Sequence, residues 1–441
     1  MELREFLGVS DDAGDLVRVE RLVDPHLEMA RVIGALDGRV VLFENVVGSR
    51  YQVVSGICSD RRYFARALGC GSDELIFRMT NALAHPQPPP VVEDAPCQEV
   101  VEPTVDLTAL PFLKHWPSDA GPYATASVAI VEDPDTGPNA SFHRLLRLDE
   151  KRLVARIVEG RDTDAARRKV AGDLPVAICI GLPVHVLLAA SMSPPASVNE
   201  LAIAHVLVPT PVVRCRTVPL YVPAEAEFVL EGRITHELVP EGPFVDLTGT
   251  MDGVRDQPVI EIDCITHRHD AIYHALLPGG LEHKLLMGMP REPTMYAAVA
   301  EVCDCRNVYI TPGGTSWLHG VVQIHKRAPD DGRRAIEAAF RGHSSLKHVV
   351  VVDEDVDIFD LQDVEWAIAT RFQADRDLYV FHDQPSSSLD PSATQVPGQK
   401  ARTSKMGLDA TIPWDTPAGP RDLDAFRRIT LEPVNLEELG I

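Results

Sequence analysis

Residues 241–246 read Glu-Gly-Pro-Phe-Val-Asp and place two acidic side chains, Glu241 and Asp246, on either side of a Gly-Pro turn. Earlier in the chain, residues 139–144 read Asn-Ala-Ser-Phe-His-Arg. An arginine can hold a carboxylate through two parallel hydrogen bonds, and a nearby carboxyl group can orient the guanidinium or deliver a proton. The two segments therefore indicate a site for a carboxylic acid and fit decarboxylation chemistry. Alone, the same residue types are more typical of a solvated surface turn.

The turn lies in a region, from about Val105 to Pro290, where apolar and β-branched runs alternate with turn residues. This pattern predicts a strand-rich middle domain of partly closed barrel type. Residues 196–204 have helical composition and predict an inserted helix. The predicted strands include residues 126–131, 176–180, 212–215 and 259–265.

Regions with mixed helix and strand patterns flank the middle domain. A proline-rich linker at residues 85–96 closes the first region, because successive prolines exclude helix and lack ladder donors. We therefore predict an α/β (α+β) protein with domains at 1–100, 101–295 and 296–441. The other predicted segments are a strand at 39–43, helices at 63–68, 293–303 and 331–340, a strand at 346–352, a helix at 360–371 capped by Asp360, a loop at 384–399 and an irregular tail beyond Pro413.

Composition limits the classes of function. The chain has 441 residues, 45% of them hydrophobic and 24% charged, as expected for a soluble globular protein. Its net charge of −23 argues against nucleic-acid and anionic membrane partners, so an anionic substrate needs local positive charge, for which Arg144 and Lys405 are candidates. The absence of a membrane-length apolar run or signal-like N-terminus predicts a cytoplasmic protein. Eight cysteines without a CxxC pair predict mostly reduced, buried thiols.

Ordered motifs extend over most of the chain. They include Asn199-Glu-Leu-Ala-Ile-Ala204 and Ser404-Lys-Met-Gly-Leu-Asp-Ala-Thr411, and the full set lies at 139–144, 199–204, 224–232, 240–249, 265–273, 352–357, 364–371 and 404–411. In this order the motifs resemble the UbiD family of prenylated-flavin-dependent decarboxylases. The resemblance implies an N-terminal α/β domain, a central split β-barrel domain that binds the cofactor, and a C-terminal α/β oligomerisation domain.

The same resemblance implies cofactors and partners. The flavin would be FMN that carries a prenyl-derived ring, made by a separate flavin prenyltransferase of the UbiX type. A manganese or magnesium ion would bridge the protein and the flavin phosphate, with potassium as a further ion in many members. The expected assembly is a homodimer or a dimer-based oligomer.

Three residues carry the implied catalysis. Arg144 would hold the substrate carboxylate or pair with Glu241, and Asp246 would donate the proton that replaces carbon dioxide. Glu241 would orient Arg144 and tune Asp246, because two nearby carboxyl groups tend not to ionise together. The implied reaction is a reversible, non-oxidative decarboxylation of an aromatic, heteroaromatic or α,β-unsaturated carboxylic acid, with the prenylated FMN as electron sink.

Other residues would hold the cofactor. Asn139 and Glu200 offer the oxygen ligands that manganese or magnesium prefers, and Lys405 would neutralise the flavin phosphate. The alternatives are a turn residue, a solvated helix acid and a solvated loop lysine, respectively. The resemblance also implies cofactor contacts from Ser141, Phe142, His143, Arg144 and Arg156.

The chain departs from the family pattern in two places. Many members have a further metal-ligating histidine where this chain reads Ile157-Val-Glu-Gly-Arg-Asp162, so Glu159, Asp162 or a water molecule would supply the third ligand. Val245 stands where many members have glycine. A group of histidines matches no metal-ligand spacing and is interpreted as strand-edge and surface residues: His267, His269, His274 and His283.

The substrate pocket is the least constrained part of the sequence. Trp317 and His319 lie in a segment that lines the substrate cavity in family members, and they favour a (hetero)aromatic acid. A packed tryptophan and an incidental histidine are the alternative. Competing functions are a metal-dependent decarboxylase without flavin and a non-catalytic assembly subunit of a multi-subunit (de)carboxylase; the intact Arg144, Glu241 and Asp246 trio argues against the latter.

Overall fold

The structure is a computed structural model that describes residues 1–396, 399–416, 419–426 and 428–429. The chain divides into two compact units. The larger unit contains Met1–Thr294, Ile310–His319 and Ser387–Ala401, and the smaller unit contains the remaining described residues. The domain boundaries at residues 100 and 295 stay predictions.

The α-helices of the described ranges are short, with four to twelve residues each. They are α1 (Leu3–Asp12), α2 (Glu28–Ala35), α3 (Arg61–Leu68), α4 (Leu75–Ala84), α5 (Asp162–Lys169), α6 (Val184–Ala190), α7 (Glu200–Leu207), α8 (Leu281–Gly288), α9 (Glu292–Ala300), α10 (Asp331–Gly342), α11 (Leu361–Arg371) and α12 (Ala374–Asp377). No described helix has the length and hydropathy needed to cross a membrane.

The strands of the described ranges dominate the middle of the chain. They are β1 (Leu16–Val23), β2 (Val40–Val46), β3 (Gln52–Ser55), β4 (Val91–Val92), β5 (Val100–Val101), β6 (Tyr123–Ala124), β7 (Ser127–Asp133), β8 (Gly137–Phe142), β9 (Leu145–Arg147), β10 (Arg152–Ala155), β11 (Leu174–Ile180), β12 (Val212–Arg214), β13 (Tyr221–Pro223), β14 (Phe228–Glu241), β15 (Phe244–Val245), β16 (Met251–Asp252), β17 (Arg255–His267), β18 (Ile272–His274), β19 (Asp304–Ile310), β20 (His319–His325), β21 (His348–Asp353), β22 (Leu378–Pro385), β23 (Arg402–Asp409), β24 (Asp415–Thr416) and β25 (Gly419–Pro420).

The largest sheet has the strand order β6-β9-β10-β17-β14-β11-β7-β8, and β5 pairs with β17. Strands β8 and β9 lie near opposite ends of this order, yet only His143 and Arg144 separate them in the sequence. So short a link requires the sheet to curl until its two ends approach each other. The result is the predicted partly closed barrel, which hydrogen bonds between the described strands do not close, with Arg144 at the gap.

Alternation along β11 separates two hydrophobic cores of the larger unit. Ala177 and Cys179 pack into the core that contains α6 and α7, whereas Val176 and Ile178 pack into a core with Phe43, Phe228 and Tyr273. Successive side chains of a strand point to opposite faces, so a strand that is buried on both faces reads as an unbroken apolar run. This explains why residues 176–180 show no polar alternation.

A smaller sheet of the larger unit has the order β1-β2-β3-β18. Strand β18 follows the long β17 in sequence, but it pairs in parallel with β3, and Ile272 lies opposite Gln52. The N-terminal α/β region is therefore completed by a strand from the middle of the chain. The sequence pattern did not predict the pairing of β18 with β3, because a three-residue strand has no periodicity to detect.

The smaller unit contains a sheet in the order β19-β20-β21-β23-β22. Strand β21 is parallel to β23, and β22 is antiparallel to it. The buried strand at 346–352 and the helices at 331–340 and 360–371 are confirmed within a few residues. The side chain of Asp360 accepts a hydrogen bond from the Gln362 backbone and caps α11, as predicted.

Other predictions need correction at their boundaries. The helix expected at 196–204 begins at Glu200, because Asn199 caps it by accepting from the backbone N–H of Leu201. The expected loop at 384–399 begins inside β22. Much of the predicted irregular tail lies outside the described residues, although β24 and β25 form a short hairpin there. All eight cysteines are free, and six are buried, as predicted.

Candidate active site

Arg144 is the centre of a buried ion-pair network in the gap between β8 and β9. Its Nε and Nη2 atoms donate to the two carboxylate oxygens of Glu241, each at 2.9 Å. Its Nη1 donates to Asp246 at 2.8 Å, and Nη2 also donates to Asp252 at 2.9 Å. The structure thus brings the predicted trio together. These bonds occupy four of the five guanidinium N–H groups among the described residues.

The turn between β14 and β15 determines where the two acids lie. Gly242 has a φ of +94°, and a Cβ atom at this position would meet the Gly253 carbonyl oxygen at 2.8 Å. Only glycine tolerates both the left-handed backbone and this close approach. The peptide bond between Gly242 and Pro243 is cis. The turn thus returns the chain past Glu241, so that Asp246 reaches the same guanidinium.

Asp252 is a site residue that the sequence analysis did not find. Strands β15 and β16 pair antiparallel with Phe244 opposite Asp252, which brings the Asp252 carboxylate to Arg144. Asp252 also accepts from Arg255 Nη1 at 2.6 Å. Burial would raise the pKa of Asp252, but the bond with Arg255 and the charge of Arg144 lower it. The sequence did contain a signal for this residue, because Asp252 follows Asp246 by six residues and is itself followed by Arg255.

Aromatic side chains pack against the network. The Arg144 guanidinium lies 4.6 Å from the centre of the Phe244 ring, a cation–π arrangement. The Tyr123 hydroxyl donates to Glu241 at 3.2 Å, and its ring lies 4.5 Å from that of Phe244. Burial and the charge of Glu241 raise the pKa of Tyr123, which keeps its hydroxyl a donor. Nothing in the sequence around Tyr123 indicated this contact.

The acidic side chains of the network differ in how far they are exposed to solvent. The Glu241 side chain is 0% exposed, whereas that of Asp246 is 21% exposed. Burial alone would lower the pKa of Arg144, but its bonds with Glu241 and the charges of Asp246 and Asp252 raise it above the ordinary arginine value. Arg144 is thus a permanent cation. Of its two predicted partners, Asp246 is the more exposed acid, and the roles predicted for Glu241 and Asp246 stay predictions.

The two predicted metal ligands are also neighbours. Asn139 Nδ2 donates to Glu200 Oε1 at 3.3 Å, and the backbone N–H of Ala140 donates to Glu200 Oε2 at 2.8 Å. Burial raises the pKa of Glu200 to about 7, and the charge of Asp162 contributes to the rise. Glu200 is therefore not the solvated helix acid of the alternative interpretation. Glu200 is a buried carboxylate with no cationic partner among the described residues, and the Asn139 side chain beside it also carries an amide oxygen, so together they are a suitable donor set for a hard divalent ion.

A chain of hydrogen bonds connects Asn139 to α5. Ser141 Oγ donates to Asn139 Oδ1 at 3.1 Å and lies 3.3 Å from His143 Nε2. The same nitrogen lies 3.0 Å from Thr163 Oγ1, and His143 Nδ1 lies 3.0 Å from the Arg156 carbonyl oxygen. Burial lowers the pKa of His143. Hydrogen bonds thus connect these predicted cofactor residues to one another. Their contacts with a cofactor stay predictions, as does the role of the half-buried Phe142 at the end of β8.

Arg156 adds positive charge close to these hydrogen-bonded residues. Its Nη1 donates to the carbonyl oxygen of Ile157 at 2.9 Å, and its Nε lies 4.0 Å from Asp252. Burial and the charge of Arg255 lower the pKa of Arg156. A guanidinium in this environment is stabilised by an added anion, which fits the predicted contact with a flavin.

The third metal ligand stays open. Asp162 begins α5 and is close enough to Glu200 for its charge to act there, whereas Glu159 is exposed in the preceding loop. Among the described residues, no group of three or more histidine, cysteine, aspartate or glutamate side chains is arranged as a metal cluster.

Lys405 belongs to the smaller unit and is buried in β23. Its Nζ donates to the Ser344 carbonyl oxygen at 2.6 Å and lies 5.1 Å from the centre of the Phe340 ring. The alternative of a solvated loop lysine is therefore wrong, because the ammonium group sits on a strand and against an aromatic ring. Its role at the flavin phosphate stays a prediction.

Trp317 and His319, the predicted substrate-pocket residues, lie at the end of one turn of the larger unit. The Trp317 Nε1 donates to Ser387 Oγ at 3.0 Å, and its ring lies 5.6 Å from the Arg291 guanidinium. His319 Nδ1 lies 2.9 Å from Thr311 Oγ1. Their contact with a substrate stays a prediction.

The four histidines of the middle region have separate environments. The surface interpretation is wrong for His267 and His274, which are 1% and 0% exposed. His267 Nε2 lies 2.9 Å from Glu102, and His274 Nε2 lies 3.0 Å from Glu282. Carboxylate partners allow these imidazoles to be buried. His283 Nδ1 accepts from the backbone N–H of Gly279 at 3.1 Å.

Three family models match consecutive parts of the chain. Their descriptions are the 3-octaprenyl-4-hydroxybenzoate carboxy-lyase N-terminal domain for residues 8–83, its Rift-related domain for 90–281 and its C-terminal domain for 284–410. Together these models match well over half of the sequence.

Similar proteins include two archaeal enzymes and several solved structures. The anhydromevalonate phosphate decarboxylase of Methanosarcina mazei is 43% identical, covering 93% of this chain and 96% of the relative. That of Methanothermobacter thermautotrophicus is 42% identical, covering 93% and 97%.

Among solved structures, the UbiD-class enzyme HmfF from Pelotomaculum thermopropionicum in complex with FMN superposes with a TM-score of 0.93 at 37% identity, covering 99% of this chain and 100% of its own. The 3,4-dihydroxybenzoic acid decarboxylase AroY of Klebsiella pneumoniae superposes with a TM-score of 0.89 at 29% identity, covering 100% and 99%. With the Arg144 network in place, these findings show that the chain belongs to the UbiD family and is a carboxy-lyase, that is, a decarboxylase.

Proposed function

We propose that this protein uses prenylated FMN to decarboxylate a phosphorylated, α,β-unsaturated aliphatic acid of the anhydromevalonate phosphate type. The observation that carries the reaction is the Arg144 network, in which a fixed cation and an accessible acid lie side by side. The substrate class comes from the archaeal relatives at 42–43% identity. Their substrate name describes a mevalonate phosphate that has lost water, which is non-aromatic. The preference for a (hetero)aromatic acid is therefore replaced by the unsaturated alternative.

Each residue of the network has a different role in the proposed reaction. Arg144 holds the substrate carboxylate through its remaining N–H group and through the donor that Asp252 now occupies. Glu241, with Tyr123 behind it, keeps the guanidinium plane fixed, so that the carboxylate enters in one orientation. Asp246 supplies the proton that takes the place of carbon dioxide at the substrate carbon. The reverse reaction uses Asp246 as the base, so the chain can act in both directions.

The residues around Asn139 and Glu200 fit a cofactor phosphate bound through a divalent ion. The fit rests on the buried Glu200 carboxylate with its raised pKa and on the neighbouring Asn139 side chain, whose amide nitrogen donates to Glu200 and whose amide oxygen accepts from Ser141. Manganese or magnesium would be held there, with potassium as a further ion, and Lys405 would neutralise the phosphate. When bound, prenylated FMN supplies the electron sink that protein side chains lack. Complexes of HmfF with FMN and with prenylated FMN support this assignment.

The proposal is tested with protein co-expressed with a UbiX-type flavin prenyltransferase and, in parallel, without it. Mass spectrometry of the released small molecule should show prenylated FMN only in the first sample. That sample should release carbon dioxide from anhydromevalonate phosphate. A flavin-loaded, manganese-supplied enzyme that leaves this acid unchanged would reject the substrate, and a folded sample without flavin would reject the cofactor.

A second candidate substrate is an aromatic acid such as 3,4-dihydroxybenzoate. The similarity to AroY and the buried Trp317 favour it. Including that acid and a furan carboxylate in the same assay separates the two candidates, because each predicts turnover of its own class. A dimer is the proposed assembly, and an evolved dimeric form of HmfF shows that a UbiD-class enzyme can exist as one.

A further inference from the structure

Arg291 is a half-buried cation of the larger unit that the network around Arg144 does not use. It lies between α8 and α9. Its Nε is buried and has no hydrogen-bond partner among the described residues. A buried guanidinium nitrogen is normally hydrogen-bonded, since an unsatisfied polar group away from water is costly. Such a group is explained most simply by an anion that completes it.

Two hydroxyl groups beside Arg291 also lack partners. Thr315 Oγ1 and Ser316 Oγ are shielded from solvent and have no hydrogen-bond partner among the described residues. Both residues adopt positive φ, 61° and 50°, which is uncommon for residues other than glycine and most so for the β-branched Thr315, and such strain clusters at ligand sites. Three unsatisfied donors close together are rare in a native interior unless a ligand accepts from them.

The close approach of this turn to the helix brings the donors together. A Cβ atom on Gly288 would lie 2.5 Å from the Ser316 carbonyl oxygen and 2.8 Å from its Cβ, so the turn packs directly on the end of α8. Arg291 follows Gly288 by three residues, just beyond the end of α8. The next residue of the turn, Trp317, has its ring centre 5.6 Å from the Arg291 guanidinium, so the turn and the arginine are neighbours.

The surroundings of the cluster are positive. Burial, together with the charge of Arg161, lowers the pKa of Arg291 to about 10. Because two cations lie near each other and no described carboxylate pairs with Arg291, a dianion is stabilised there more than a monoanion. A phosphate monoester carries that charge and several acceptor oxygens, which suits a guanidinium and two hydroxyls.

Helix α8 connects His283, which lies near the Arg144 network, to the turn that carries Arg291. The charges of Asp246 and Arg144 act on His283, raising and lowering its pKa respectively, although burial lowers it most. His283 lies in α8, and Arg291 follows the end of that helix by three residues, so eight residues separate the two in sequence. At about 1.5 Å per residue, the backbone between them spans roughly 12 Å. The subsite therefore calls for a short-chain acid that presents its carboxylate to Arg144 and its phosphate to Arg291.

We propose that Arg291, Thr315 and Ser316 form a subsite that binds the phosphate of the substrate and so selects phosphorylated acids. This subsite rests on the proposed function for its ligand, but its existence can be tested separately. Arg291 and the hydroxyls bind the end of the substrate that does not react.

The test compares the prenylated-FMN holoenzyme with Arg291→Gln, Ser316→Ala and, as a matched loss of charge at the surface, Arg18→Gln. Decarboxylation is measured on anhydromevalonate phosphate and on the same acid without phosphate. Arg291→Gln should lower kcat/KM for the phosphorylated acid about 10- to 150-fold and leave the unphosphorylated acid almost unchanged. Ser316→Ala should show a smaller loss of about 2- to 13-fold, and Arg18→Gln should match the wild type.

Flavin content and direct binding complete the test. Calorimetry with butyl phosphate should show binding to the wild-type holoenzyme that weakens at least tenfold in Arg291→Gln, with the flavin content unchanged. Loss of flavin from Arg291→Gln would instead assign the arginine to the cofactor phosphate and overturn the proposal. An unchanged preference for the phosphorylated acid in Arg291→Gln would also overturn it, without affecting the proposed function.

The two failures can be told apart. If the wild-type holoenzyme leaves anhydromevalonate phosphate intact, the proposed function fails. Binding of butyl phosphate that depends on Arg291 would in that case still support the subsite. If butyl phosphate does not bind the wild type, the subsite is rejected.

Discussion

Two half-buried arginines of the larger unit differ in what surrounds them. The guanidinium of Arg144 is bonded to Glu241, Asp246 and Asp252, whereas the Nε of Arg291 bonds to no described residue. A guanidinium whose donors are occupied by fixed carboxylates is held in one orientation before a substrate arrives. One with unused donors depends on the ligand for its partners. The contrast separates a group organised for chemistry from a group organised for recognition.

Removing the occupied arginine should have the largest effect. Arg144→Met leaves the fully buried Glu241 without its cation, so the free energy of unfolding should fall by about 3–5 kcal/mol. Decarboxylation should fall below detection. Denaturation with urea and a carbon dioxide assay measure both effects, with Arg18→Met as the exposed control. Full stability in Arg144→Met would show that the network contributes little to the fold.

Asp246→Asn tests the proton donor within the same network. The amide keeps an acceptor for Arg144 but cannot donate a proton in the same way, so turnover should fall about 10²- to 10⁴-fold. Flavin content and substrate binding should change little, because Glu241 and Asp252 still hold the guanidinium. Retention of full turnover would remove Asp246 from its assigned role.

Glu200 is the acidic counterpart of Arg291, because it is a buried carboxylate that pairs with no cation among the described residues. If a divalent ion completes it, Glu200→Gln should lower manganese affinity by about tenfold or more, since even indirect partners of a metal are worth about 10- to 100-fold. Metal analysis by mass spectrometry after dialysis checks this, and Asp162→Asn should show a smaller decrease. The exposed Glu132→Gln is the control. Equal manganese content in all variants would contradict the metal assignment.

Arg291→Met should have the smallest effect and the opposite sign to Arg144→Met. The pKa of Arg291 is about 10 in the folded protein and lies below that of the unfolded chain, so the charged form opposes folding. This penalty is fully present below pH 10 and disappears as the pH rises towards the unfolded value. Without ligand at neutral pH, Arg291→Met should therefore gain up to about 3 kcal/mol in the free energy of unfolding.

Urea denaturation of the ligand-free protein measures this gain, and excess butyl phosphate should reverse the order by stabilising the wild type alone. A ligand-free Arg291→Met that is less stable than the wild type would mean that Arg291 has a structural partner. In that case the comparison between the two arginines would no longer hold.

Much of the site could be predicted from residue types and their order. Asn139, Arg144, Glu200, Glu241 and Asp246 each occur in a motif whose neighbours also match the family, and the structure brings them into two adjoining groups. Local composition was equally sufficient for the central strands and for the Asp360 cap. These features depend on contacts within a few residues or on a short turn, which a linear pattern records.

Other residues could not have been found in this way. Asp252 reaches Arg144 only because β15 and β16 pair, and Tyr123 reaches Glu241 only because the sheet curls. The short strand β18 joins the sheet of β3 across a long separation in sequence. The burial of His267 and His274 follows from carboxylate partners that are distant in sequence or hidden in ordinary helix composition.

The sequence by itself determined the family, the class of reaction, the acid–arginine trio and the pair of candidate metal ligands, because each of them depends only on residue types and their spacing along the chain. Only the tertiary structure decided which charges are satisfied. The same residue type gives a guanidinium with four bonded N–H groups at Arg144 and one whose Nε has no partner among the described residues at Arg291, since hydrogen-bond partners are set by how strands and turns pack. That difference, invisible in the sequence, is what points to the phosphate subsite.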